Sequence, residues 1–147
     1  MAKVQFRLAT LLRLRETLRD ERRQELVAAQ QAEQATRDVI AQMDHEATEM
    51  RRSWAIASHA GSIDIDALRD AAHFQLALSA QRQMALKTLA DCSAQVDRAR
   101  QSLLAADQAL KTLEKLLKRQ QDRNRQLEQK QELSQLDAQR VPFAPFS

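Results

Sequence analysis

The chain has 147 residues, of which alanine (25), leucine (20), glutamine (19) and lysine plus arginine (23) make 87, against one glycine, two prolines and no tyrosine. A compact β or α/β domain of this length needs many turns and a supply of β-branched and aromatic residues, so the composition excludes one and favours long helices. The net charge of +3 defines no partner by its size alone, and no run of about 18 apolar residues is present to span a membrane.

The first helix is expected over about residues 4–58. Leu8, Leu11, Leu12, Leu14 and Leu18 open its apolar stripe, Leu26 and Ala29 continue it, and Val39, Ile40, Met43, Met50 and Trp54 finish it, with Glu33 or Thr36 falling near it. Arg7, Arg13 and Arg15 interrupt the N-terminal leucines, so this segment does not read as a signal peptide.

A hinge follows at residues 59–63. Gly61, the only glycine, suits the left-handed conformation that ends a helix, and Asp64 suits the N-cap of the next. Ile63 and Leu68 have the spacing of a hydrophobic staple, and Asp66 puts negative charge in the first turn.

The second helix is expected over about residues 64–137. Its 3-4 repeat runs through Leu68, Ala71, Gln75, Leu78, Arg82 and Ala85, continues through Leu89, Cys92, Val96, Ala99, Leu103 and Ala106, and closes on Leu110, Leu113, Leu117, Gln120, Asn124 and Leu127. Fourteen of these eighteen positions are apolar, a pattern that no β alternation produces and that marks a sustained coiled-coil seam. Pro142 and Pro145 leave residues 141–147 as a flexible tail.

At ~1.5 Å per residue the two helices would run roughly 80 Å and 110 Å, and neither is stable alone with one exposed apolar stripe. The short hinge makes each the other's cover. The expected fold is therefore all-α, an antiparallel two-helix coiled-coil hairpin over residues 1–140. Reflection through Gly61 pairs residues whose numbers add to about 122, leaving the end of the second helix as an overhang. A parallel dimer of nearly continuous helices is the rival arrangement, disfavoured by Gly61 and the Asp64 cap.

Charge is unevenly distributed. Residues 3–23 carry seven lysines and arginines against three acids, and residues 111–125 carry six against two, each a balance of +4. In a hairpin these segments lie side by side, giving a basic end suited to an acidic protein surface, an anionic membrane or nucleic acid. Nucleic acid is the weakest of these, because acids interrupt both segments and Phe6 is the only aromatic before Trp54. A membrane surface competes with the second helix for the same N-terminal leucines.

Catalysis finds no constellation. His45, His59 and His73 form no HxxxH or HExxH pair, a single glycine permits no phosphate-binding loop, and Cys92 falls on the seam as a packed thiol. No enzyme activity, metal or cofactor is expected. Phe74, offset from the seam, is the best candidate for an exposed anchor, with Leu76 on another face and Met43, Met50 and Trp54 opposite.

Three stretches resemble one family. Phe6-Arg7-Leu8-Ala9-Thr10-Leu11-Leu12-Arg13-Leu14-Arg15-Glu16 is similar to the opening of the FliJ family of flagellar type III export proteins. Ala109-Leu110-Lys111-Thr112-Leu113-Glu114-Lys115-Leu116-Leu117-Lys118-Arg119 resembles its second-helix signature, and Glu128-Gln129-Lys130-Gln131-Glu132-Leu133 its terminal segment, although the family's compact ending is spread here into Leu133-Ser134-Gln135-Leu136-Asp137-Ala138. The resemblance implies a cytoplasmic, non-catalytic coiled coil like the central stalk of a rotary ATPase. It would act at the cytoplasmic face of the inner membrane, with peripheral membrane association through the export apparatus.

The partners so implied are the ring of the flagellar export ATPase, the cytoplasmic domain of the export gate, and export chaperones. ATPase docking would fall to Arg7, Arg13, Arg15, Lys115, Lys118 and Arg119. Gate binding would fall to Phe74 and Leu78, although the 3-4 repeat puts Leu78 in the seam. The stalk protein of a virulence type III secretion system is the near alternative, and a nucleic-acid-binding coiled coil the distant one.

Overall fold

The computed structural model describes residues 2–61 and 64–140. It contains two helices, α1 (Ala2–His59) and α2 (Ile65–Arg140), and no strand among the described residues. The helices pack antiparallel as a coiled-coil hairpin. By packing, the chain divides into two compact units: Met1–Glu21 with Leu104–Ser147, and Arg22–Leu103.

The turn forms as its residues dictate. Ala60 N–H donates to the Ile56 carbonyl and Gly61 N–H to that of Ser58, closing the last turn of α1, and Gly61 then takes a φ of 78°. That left-handed backbone is cheap for glycine and strained for any residue with a Cβ. Asp64 caps α2 on both counts: its carboxylate accepts from Asp66 N–H at 3.2 Å and its carbonyl accepts from Leu68 N–H at 3.0 Å. Ile63, the expected partner in a staple with Leu68, lies outside the described residues, as does the tail expected over residues 141–147.

In the unit Arg22–Leu103, Thr36 Oγ1 and Cys92 Sγ stand 3.8 Å apart, and Arg82 donates to Asp44 at 2.7 Å and 3.4 Å. These pairs add to 128 and 126, not to the expected 122. Five residues from Ala60 to Asp64 separate the helices, which centres the turn one residue beyond Gly61 and accounts for part of the difference.

The seam of α2 follows the 3-4 repeat. Leu78, Val96, Ala99, Ala106 and Leu110 are buried, and Ala71, Ala85, Leu89, Cys92, Leu103, Leu113, Leu117, Gln120 and Asn124 are half-buried. Leu68, Gln75, Arg82 and Leu127 remain exposed, and from Arg125 to Gln139 every residue is exposed, so the last turns of α2 have no covering helix. Among the described residues, sixteen of the nineteen hydrogen bonds and polar contacts outside the regular ladder stay within one helix or turn, leaving apolar burial as the main tie between the two helices.

The seam of α1 is more regular than its hydrophobicity suggests. The seam residues are Gln5, Leu8, Leu12, Arg19, Arg22, Leu26, Ala29, Glu33, Thr36, Ile40, Met43, Ala47, Met50, Trp54 and Ala57, an unbroken 3-4 spacing except near Arg15, where Glu16 is covered instead; Leu18 is half-buried beside Arg19. Leu11, Leu14 and Val39 stand outside this seam and are exposed, a correction to the expected stripe. Arginine stems can cover an apolar seam while their heads stay wet, which is how polar residues come to occupy it. Glu33 is further held by an ion pair with Arg37 one turn on.

The antiparallel pairing has a direct distance test. Spin labels at Thr17 and Gln108, both exposed and both in the unit that contains the chain ends, should report backbones within roughly 20 Å of one another, given helix packing distances near 10 Å. Distances several times larger within a single monomer, measured at dilution sufficient to exclude pairs between chains, would mean that the chain does not fold back.

Candidate docking surfaces

The six basic residues singled out in the sequence fall in one unit. Arg7, Arg13 and Arg15 belong to its α1 segment and Lys115, Lys118 and Arg119 to its α2 segment. All six are exposed, and none takes part in an ion pair among the described residues. Residues 3–21 and 104–125 together carry eleven lysines and arginines against six acids, a balance of +5. This is smaller than the +8 suggested by the basic segments, because Arg22 and Arg23 belong to the other unit and Asp107 joins this one.

The basic heads are exposed because the seam takes the leucines. Leu8 and Leu12 on α1 and Leu110, Leu113 and Leu117 on α2 occupy covered positions, and lysines and arginines one or two residues away turn outward. A cluster of uncompensated cations raises the local concentration of an acidic partner and speeds encounter with it.

Phe74 and Leu78 have different environments. Phe74 is 47% exposed, whereas Leu78 is buried in the seam at 8%. The two stand about one turn apart on α2, the ring open to solvent and the leucine turned into the seam. Leu76 is also exposed; Met43, Met50 and Trp54 are half-buried on the seam of α1.

Beside Leu78, a groove is lined by Met43, Asp44, Ala47, Arg51, Gln75, Ser79 and Arg82. Asp44 holds the Arg82 guanidinium above its ordinary pKa, first through the side-chain hydrogen bond and then through charge attraction. The residue assigned to the seam by spacing thus reaches out of it. Opposite charges at reflected positions around the corrected pivot were the available signal. No cluster of three or more potential metal ligands occurs among the described residues, and no helix among them is long and apolar enough to cross a membrane.

Two long antiparallel helices sealed along a narrow seam, with basic and aromatic side chains left exposed beside it, define an all-α coiled-coil hairpin. The family described as flagellar FliJ protein matches residues 4–139, and the chain belongs to that family. It is a non-catalytic component of the flagellar type III export apparatus, and the match favours flagellar export over the virulence and nucleic-acid alternatives. No curated protein and no solved structure matches the chain.

Proposed function

We propose that the chain couples the ring of the flagellar export ATPase to the export gate, at the cytoplasmic face of the inner membrane, and assists export chaperones or their substrates. The carrying observation is the convergence of Arg7, Arg13, Arg15, Lys115, Lys118 and Arg119, from opposite ends of the sequence, in one unit, where residues 3–21 and 104–125 have a balance of +5. These residues engage an acidic lining of the ATPase ring. The gate's cytoplasmic domain is bound in the other unit, with Phe74 as the apolar anchor and Leu78 supporting the turn on which it stands.

The test is titration of the intact chain against the ATPase and against the gate domain separately. Phe74→Ala is expected to weaken gate binding by about tenfold or more while helicity stays near wild type, as for truncation of an exposed aromatic anchor. A large fall in melting temperature with unchanged gate affinity would make Phe74 a packing residue instead. Loss of ATPase binding by this variant would show that the two surfaces are not separable.

A further inference from the structure

In a two-helix coil only two positions in each heptad need be apolar, and a third apolar row beside the seam is the pattern of a helix that meets more than one neighbour. In the unit that contains the chain ends, α1 carries such a row. Leu11, Leu14 and Leu18 follow an i, i+3, i+7 spacing alongside the covered Leu8 and Leu12; Leu18 is half-buried, but Leu11 is 40% and Leu14 66% exposed.

The matching row on α2 follows from the register. In an antiparallel pair, residues that immediately precede the same seam position on each helix stand on the same side. In the unit Arg22–Leu103, Glu25 and Ser102 line one groove together, and their numbers add to 127. The 3-4 repeat continues along α2 and resumes in α1 on both sides of the one-residue shift at Glu16, so the same sum sets Leu11 beside Leu116 and Leu18 beside Ala109. Leu116 is 47% exposed and Ala109 half-buried. Thr112, between them on α2, donates its hydroxyl to the Gln108 carbonyl at 2.9 Å, so it adds no unmet donor to the floor.

We infer that this flank seats a third helix, an amphipathic segment of another protein with apolar residues at i, i+3 and i+7 edged by carboxylates. Charge complementarity selects the edge: Arg7 lies one turn before Leu11, Arg119 and Arg123 lie beyond Leu116, and none of the three is ion-paired among the described residues. A second copy brings the same segments, 3–21 and 104–125, themselves at +5, and is repelled. A lipid surface is planar, whereas the half-exposed leucines border the groove between two helices, the seat into which a helix ridge packs. The inference rests on the reading of this end as a docking surface and gives the docked segment a form.

Fluorescence anisotropy of two labelled helical peptides with identical leucines, one edged with glutamate and one with lysine, tests it against the full chain. The glutamate peptide is expected to bind at least tenfold tighter than the lysine peptide. Leu11→Gln with Leu14→Gln and Leu116→Gln should weaken it by about tenfold or more, with little change in melting temperature, since all three lie outside the seam. Leu14→Gln alone, at the most exposed of the positions, should weaken binding several-fold and guards against misfolding of the triple variant. Equal binding of both peptides, unchanged affinity in both variants, preferential binding of the chain to phosphatidylglycerol vesicles, or self-association through this flank in sedimentation would each overturn the inference. The peptides replace the ATPase, so a chain that binds the ring but not the glutamate peptide refutes the third helix and spares the docking surface.

Discussion

Changing Arg7, Arg13, Lys115 and Lys118 together to glutamate is expected to remove most association with the export ATPase at low ionic strength. Four reversals subtract eight charges, taking the chain from +3 to −5. All four side chains are exposed and lie outside the covered seam, so circular dichroism should still report a helical protein. If these residues meet an acidic lining, wild type loses its advantage as salt rises, because screening acts over a Debye length of about 8 Å near 0.15 M. An alanine set at the same four positions separates missing attraction from new repulsion and should show the smaller defect. Equal titration of the ATPase by wild type and the folded glutamate variant at low salt would leave these residues as solubilising charge.

How the two helices conceal or reveal their packing explains what could be read before the structure. The seam of α2 is written in residue type: its buried Leu78, Val96, Ala99, Ala106 and Leu110 all stand on the 3-4 repeat, so periodicity alone locates them. The seam of α1 is written only partly in residue type: Leu8, Leu12, Leu26, Ala29, Ile40, Met43, Met50 and Trp54 are covered as their hydrophobicity predicts. Arg19, Arg22 and Glu33 occupy covered places that a hydropathy reading assigns to solvent, while Leu11, Leu14 and Val39 attract an apolar assignment and stand exposed. The burial of one helix by another constrains the spacing of contact points, and long side chains satisfy that spacing with their stems.

The register was legible to within about one and a half helical turns, the partners standing four to six residues from the expected ones. Gly61 marks the place where the backbone turns left-handed, but the pivot also depends on how many residues follow before Asp64 caps α2. Cap chemistry fixes that count, whereas the centre of reflection is a property of both helix ends together. The candidate docking residues followed the same division. Their convergence in one unit was deducible from chain reversal, but the exposure of Phe74 against the burial of Leu78, four residues away, required the packing.

Leu110 should be the most sensitive single position in the unit that contains the chain ends. It is 2% exposed, the most completely covered large side chain among the described residues, and Ala106 one turn earlier is too small to fill the space it would leave. Leu110→Ala therefore removes apolar burial and opens a cavity in a seam only two helices wide. The expected loss is about 2–5 kcal/mol, toward the lower value if α1 can close the gap by a small shift. Leu14→Ala makes the comparison: at 66% exposure it lies outside the seam, and a cost within about 0.5 kcal/mol is expected. Urea titration followed by circular dichroism should give the difference, with unchanged slope if the denatured ensemble is the same. Hydrogen exchange adds location, because packing divides the chain between two units and amides open in cooperative segments. Amides of residues 8–21 and 104–117 should lose more protection in Leu110→Ala than those of residues 36–50. Equal midpoints for Leu110→Ala and Leu14→Ala would mean that Leu110 is not sealed between the helices in solution, and the pairing of the chain ends would have to be redrawn.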